Sequence, residues 1–175
     1  MPGSTAAETA AIQDILVEDG KFISIAPNLK ATLEAQGKDM ASVEVVDLGG
    51  KLVCPPFCDT HLHLDYVFTA RKPGAVNESG TLFEGIQRWS ETKADLTVDE
   101  IKERAKIGIA KEMRHGVQFI RSHADVTDPN LTSLKALLEL KEELKDTVTL
   151  QIVSFPQEGM YSYEGPHGES GADLV

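Results

Sequence analysis

Cysteine is scarce: Cys54 and Cys58 are the only two in a chain of 175 residues. Two are too few for a disulfide framework, and a reducing cytoplasm is the simplest compartment for them. Basic residues are also short, with 17 Lys+Arg against 28 Asp+Glu and a net charge of −11. That balance argues against a nucleic-acid or anionic-lipid surface and leaves a small-molecule site open. No apolar run reaches the roughly 18 residues a membrane span needs. The opening MPGSTAAETAA has neither the basic nor the apolar segment of a secretion signal. Phosphate loops, Gly-x-Ser-x-Gly elbows and basic patches interleaved with aromatics are missing as well. What is present is an ordinary globular composition, 41% hydrophobic and 26% charged, long enough for one real core.

Small polar residues make positions 1–13 a flexible lead-in. Asp19-Gly20 lies between the apolar runs Ile15–Val17 and Phe22–Ile25. An Asp-Gly pair there predicts a hairpin, because both turn positions need positive φ. Residues 28–42 read as a loop or weak helix, Val43–Leu48 as a short strand, and Gly49-Gly50 as a break, which delimits a small β-structure over 14–50. Pro55 and Pro56 delay the next strand to about Phe57, and it ends near His63.

Leu82, Ile86 and Trp89 fall on one helical stripe in Thr81–Lys93. Thr97 and Glu100 form a capping box that opens a helix carrying Ile101, Ala105, Ile109 and Met113 and stopping at His115-Gly116. A strand follows at Val117–Val126. Asp128-Pro129 then resembles an N-cap with proline at the first helical position, starting a helix buried through Leu131, Leu134, Leu137, Leu138 and Leu144. Thr147–Phe155 is the third strand, and residues 161–175 form an irregular tail. Strands alternating with helices predict a parallel sheet, so 51–160 reads as part of a (β/α) barrel or a doubly wound sheet. A closed eight-fold barrel needs about 250 residues, and three βα units do not close one.

Asp59-Thr60-His61-Leu62-His63-Leu64-Asp65 carries the chemistry. Side chains at i and i+2 of a strand share a face roughly 6–7 Å apart, so His61 and His63 can converge on one metal ion at about 2.0–2.1 Å per bond. Alone, His-x-His is equally two ordinary histidines of a half-buried strand. The second strand ends in His123-Ala124-Asp125 and the third in Phe155-Pro156-Gln157-Glu158. Three consecutive strands thus deliver polar groups to one rim, the C-terminal face on which barrel enzymes build their sites. A structural Cys₂His₂ zinc site from Cys54, Cys58, His61 and His63 is disfavoured by the intervening prolines and by Cys58 facing away from the histidines. Small buried thiols are the better reading. His115 and His167 read as structural or incidental.

The segment PPFCDTHLHLD (55–65) resembles the PGFVDxHxH first-strand motif of the amidohydrolase superfamily. VEDGKFISIAPNL and VVDLGGKLV resemble the small β-domain that flanks its barrel. SGTLFEGIQRW, SHADVTDPNLTSLKALLELKEEL and LQIVSFPQEG are similar to the cytosine deaminase branch, with the triazine-ring aminohydrolases next. The resemblance implies an α/β fold: the N-terminal part of a metal-dependent-hydrolase (β/α)₈ barrel, about three βα units, preceded by a small β-structure. It implies one divalent metal ion, iron or zinc, with His61 and His63 among its ligands. Gln157 would hydrogen-bond the substrate ring, Leu82 would line its pocket, and His123, Asp125 and Asp65 would form the surrounding shell.

The reaction implied is hydrolytic deamination of cytosine or a related amino-substituted nitrogen heterocycle. Its remaining metal ligands and its proton-shuttling carboxylate come from later strands in the family. This chain ends at Gly171–Val175, so it is expected to be an incomplete portion, inactive alone. The alternative is an inactive truncated barrel serving as a structural or interaction module. A second copy or a complementing chain remains open as partner; nucleic acid and membrane are not expected. Pro56, Cys58 and Tyr66 depart from the family's usual glycine, valine and small polar residue, and Tyr66 leaves the choice of heterocycle open.

Overall fold

The computed structural model describes residues 12–162, 164, 165 and 167–174. Most of the lead-in expected at 1–13 lies outside the described residues. The chain divides into two compact units, one ending at Cys54 and the other beginning at Pro55.

In the first unit, β1 (Asp14–Glu18) and β2 (Lys21–Ala26) pair antiparallel. The turn has Asp19 at φ 50° and Gly20 at φ 72°, the left-handed pair that a two-residue hairpin matching strand twist requires. The register steps from Leu16↔Ser24 to Val17↔Phe22, so Ile23 is an extra residue that bulges β2. A short helix α1 (Leu29–Ala35) follows, its first amide donating to Asp14 Oδ2 at 2.8 Å. The strand expected at Val43–Leu48 does not form. A 3₁₀ turn occupies Met40–Ser42, and Val43–Asp47 line a groove of about 840 Å³ with β1 and α1. Across that gap the segment finds no ladder partner, so its apolar, β-branched composition is not enough.

The second unit holds β3 (Phe57–Leu62), α2 (Leu82–Lys93), α3 (Val98–Arg114), β4 (Val117–Asp125), α4 (Thr132–Glu143), β5 (Thr149–Phe155) and a last turn α5 (Gly171–Leu174). The sheet order is β3-β4-β5, parallel throughout, as the alternation of strands and helices predicts.

Thr97 and Glu100 close both halves of the capping box of α3. Ile101, Ala105 and Ile109 on α3 pack with Ala136, Leu137 and Leu140 of α4 and Ile120, Ala124 and Leu150 of the sheet to form the core. Gly108 faces the chain after β3, where a Cβ would stand 3.4 Å from Leu64 Cδ2, in van der Waals contact. Gly116 takes φ 87° at the end of α3, which glycine does without strain.

α4 begins later than Asp128-Pro129 predicts. Its N-cap is Leu131 at φ 50°, while Asp128 accepts from the Asn130 and Thr132 amides at 3.0 and 2.8 Å. The aspartate therefore caps the helix from one turn away. Both cysteines are exposed free thiols, not buried ones; β3 is an edge strand, which leaves Cys58 with ladder cover on one side only. Among the described residues, no helix is long and apolar enough to cross a membrane.

Candidate active site at the strand rim

β3 is not a plain pleated strand where it matters. Between Asp59↔Ile120 and Leu62↔Ser122, β3 advances three residues while β4 advances two. The extra residue is a bulge, which re-aims the side chains next to it. The His61 amide donates to Asp59 Oδ1 at 2.9 Å, so the motif's first aspartate satisfies a donor at the irregularity. The strand ends at Leu62, one residue before His63. The two imidazoles lie close nonetheless, ring centroids 5.2 Å apart.

His123, arriving on β4, touches both. Its ring stacks on His61 at 4.1 Å, and its carbonyl lies 3.0 Å from His63 Nδ1. A carbonyl can only accept, so His63 carries its proton on Nδ1 and keeps the Nε2 lone pair. That is the tautomer a metal-ligating imidazole needs, fixed by the ring's other nitrogen. Burial holds the His63 pKa below its usual value, His61 and His123 lower it further, and the His123 carbonyl partly opposes them. His123 is lowered likewise, first by burial and then by His61. Neutral rings are the ligating form.

The chain after His63 is pinned at each residue. Leu64 N donates to Ser122 Oγ at 3.0 Å, and Asp65 Oδ2 accepts the Asp125 amide at 2.8 Å. Arg104 on α3 grips the carbonyls of Asp65 and Val67 at 3.0 and 2.7 Å, one on each side of Tyr66. Tyr66 is thereby held against His63 at 4.7 Å and Trp89 at 4.8 Å. Asp65 is fully buried, and burial pushes its pKa up to about 6, with hydrogen bonds from the Asp125 amide opposing.

Asp125 is the second buried carboxylate. It accepts Trp89 Nε1 at 2.6 Å, Lys93 Nζ at 3.0 Å and the Thr127 amide at 2.8 Å, and the Thr127 hydroxyl as well. Both aspartates thus bind β3, β4 and α2 together at the rim, and neither faces the cavity with a free oxygen.

That cavity has a volume of about 720 Å³ and is lined by His61, His63, Tyr66, Leu82, Trp89, Phe155 and Gln157 among others. The structure therefore brings the histidine pair, Leu82 and Gln157 to one hollow, and places Asp65 and Asp125 in the packed layer behind it. Sequence reading missed Trp89, Lys93 and Arg104, and named Glu158 only as one of the polar groups after the third strand. Trp89 carried a signal, its place on the α2 stripe, which read as core. The partners of Lys93 and Arg104 lie 32 to 65 residues away, and no local pattern in the sequence marks them.

A model of the amidohydrolase family matches residues 44–174. The chain belongs to this family. It is 30% identical over 158 residues to N-isopropylammelide isopropyl amidohydrolase of Pseudomonas sp. (strain ADP), covering 88% of this chain and 37% of that protein. Pterin deaminase of Rhizobium rhizogenes is 28% identical over 152 residues, 84% of this chain and 32% of its own length. Among solved structures, 5-methylcytosine deaminase from Klebsiella pneumoniae liganded with 5-fluorocytosine superposes with a TM-score of 0.71 at 42% identity, over 89% of this chain and 35% of that one. The chain spans about a third of the relatives it matches, and its sheet is part of an amidohydrolase barrel.

Two imidazoles suit a divalent metal as part of a ligand set, and the fixed His63 tautomer fits that use. Among the described residues, no three His, Cys, Asp or Glu side chains gather to hold one, and a catalytic zinc normally keeps three protein ligands.

Proposed function

We propose that this rim is the substrate and metal face of a hydrolytic deaminase acting on cytosine or a related amino-substituted nitrogen heterocycle, in a reducing cytoplasm. The observation that carries the reading is the convergence of His61, His63 and Gln157 on one aromatic-walled cavity. His61 and His63 would hold an iron or zinc ion, which supplies Lewis acidity and the lowered water pKa that displacement of ammonia needs. His63 is ready for this as a neutral ring with Nδ1–H tied to His123. Tyr66, Trp89 and Phe155 give flat apolar walls to a planar ring. The Gln157 amide, both donor and acceptor, reads the ring's polar edge and rejects rings that leave it unpaired.

The 175-residue chain by itself is inactive on this reading. The pair is at least one ligand short, and the rim carboxylates Asp65, Asp125 and Glu158 are engaged in hydrogen bonds or ion pairs. An ammonia-release assay with cytosine, with iron or zinc supplied, tests it: silence from the chain alone, and metal-dependent turnover once the remaining βα units are provided on a complementing chain. Turnover that survives chelator overturns the metal role, and metal-dependent turnover by the chain alone overturns its incompleteness. Silence in both settings favours an inactive structural module.

A further inference from the structure

Lys93 sits at the end of α2 with its side chain only 11% exposed. Its ammonium has three donors and three acceptors around it: Asp125 Oδ2 at 3.0 Å, Thr127 Oγ1 at 2.6 Å and Glu158 Oε1 at 2.8 Å. The first two belong to the end of β4 and the chain just after it. Glu158 belongs to the turn that follows β5 and is the neighbour of Gln157. Within that turn the hydrogen bonds are local, Gln157 N to the Phe155 carbonyl at 2.9 Å and Gly159 N to the Pro156 carbonyl at 3.0 Å. The Phe155 carbonyl also accepts the Val126 amide at 3.1 Å, which holds the end of β5 to the chain after β4, one step before the turn itself. The ion pair to Lys93 ties the turn at Glu158, and Lys93 is itself held by a buried carboxylate that also fixes Trp89.

We infer that Lys93 and Glu158 are positioning residues: the Lys93–Glu158 pair, anchored on Asp125, clamps the turn after β5 and sets where the Gln157 amide stands in the cavity. The inference rests on Gln157 as the ring-reading group. A charge-assisted bond between partly buried partners is directional enough for this, and a ring-reading amide is sensitive to displacements of about 1 Å. One ammonium then fixes both the helix that forms a wall of the cavity and the amide that faces its occupant.

Two measurements on the full chain test it. Without ligand, ¹⁵N relaxation of the wild type should give residues 157–159 order parameters of about 0.85, like the strands, and Glu158→Ala should drop them below about 0.6 while α3 and β4 are unchanged. Glu158 is partly exposed, so this variant keeps the fold; Lys93→Met, which also strips Asp125 of its cation, serves as the second variant. Unchanged order in both overturns the clamp. With ligand, cytosine is titrated against the fluorescence of Trp89, the only tryptophan. Gln157→Ala and Glu158→Ala should each weaken binding about tenfold, the size of one lost hydrogen bond. Glu158→Gln, which keeps an acceptor, should fall between.

The double variant should bind no more weakly than Gln157→Ala alone, because Glu158 acts through Gln157. Additive losses overturn the positioning role. If wild type takes no cytosine, or Gln157→Ala binds as wild type does, the ring-reading assignment fails, and the relaxation data still decide the clamp.

Discussion

Replacing Asp125 by Asn tests whether the rim is held by its buried carboxylate. The native group is 1% exposed and its partner Lys93 is nearly enclosed. Asn is isosteric, so packing is preserved and the change is electrostatic. Its oxygen can still accept one of the donors, but its NH₂ then faces another donor, and the Lys93 charge loses its innermost counter-ion. Breaking a buried pair from one side costs about 3–5 kcal/mol. Because Glu158 stays beside Lys93 and one acceptor survives, the loss here should be about 3 kcal/mol. For a unit of this size that is a fall in Tm of roughly 10 °C. Urea unfolding followed by Trp89 fluorescence reads this unit specifically, since the only tryptophan lies in it. The urea midpoint should drop with the m-value unchanged, and 1 M salt should alter the difference little, a shielded pair being weakly screened. A loss below about 1 kcal/mol, or one abolished by salt, would put the pair in the class of surface salt bridges and refute the reasoning.

Leu137→Ala removes a wholly buried side chain from the α4 face of the core; it should cost about 2–5 kcal/mol in the same urea assay and leave cytosine titration of the residual folded protein unchanged. Glu84 gives the pH prediction. Ser79, through hydroxyl and amide, and the Glu78 amide hold its carboxyl down to about 2. A depressed pKa contributes stability above the unfolded value near 4.5 that is lost as pH falls toward 2. Glu84→Gln should therefore flatten the acid limb of the stability profile between about pH 4.5 and 2, read by thermal melts across that range, with no change in slope above it.

The hairpin, the capping box and the three parallel strands were legible because each rests on local chemistry: positive φ at Asp19-Gly20, reciprocal caps at Thr97 and Glu100, apolar runs bounded by breakers. Val43–Leu48 was not, since a strand exists only with a partner at ladder distance and composition cannot supply one. The His61/His63 pair was legible by spacing, yet its geometry comes from a bulge and from His123, which alternation does not encode. Gln157 and Leu82 came from the family resemblance, and the cavity they line is a fact of the fold. Lys93, Glu158 and Arg104 act through partners on other elements, so their sequence neighbourhoods look like ordinary helix and turn surface.

The decisive measurement is zinc titration by calorimetry at neutral pH on the chain assembled with the remaining βα units, comparing wild type with His61→Ala, His63→Ala and a Cys54→Ser/Cys58→Ser double variant. One zinc site is expected, which either histidine variant weakens at least tenfold, as loss of a ligand does, and which the double cysteine variant leaves intact. No zinc binding by wild type, or binding lost with the cysteines and kept without His61 or His63, would contradict the metal role of the histidine pair.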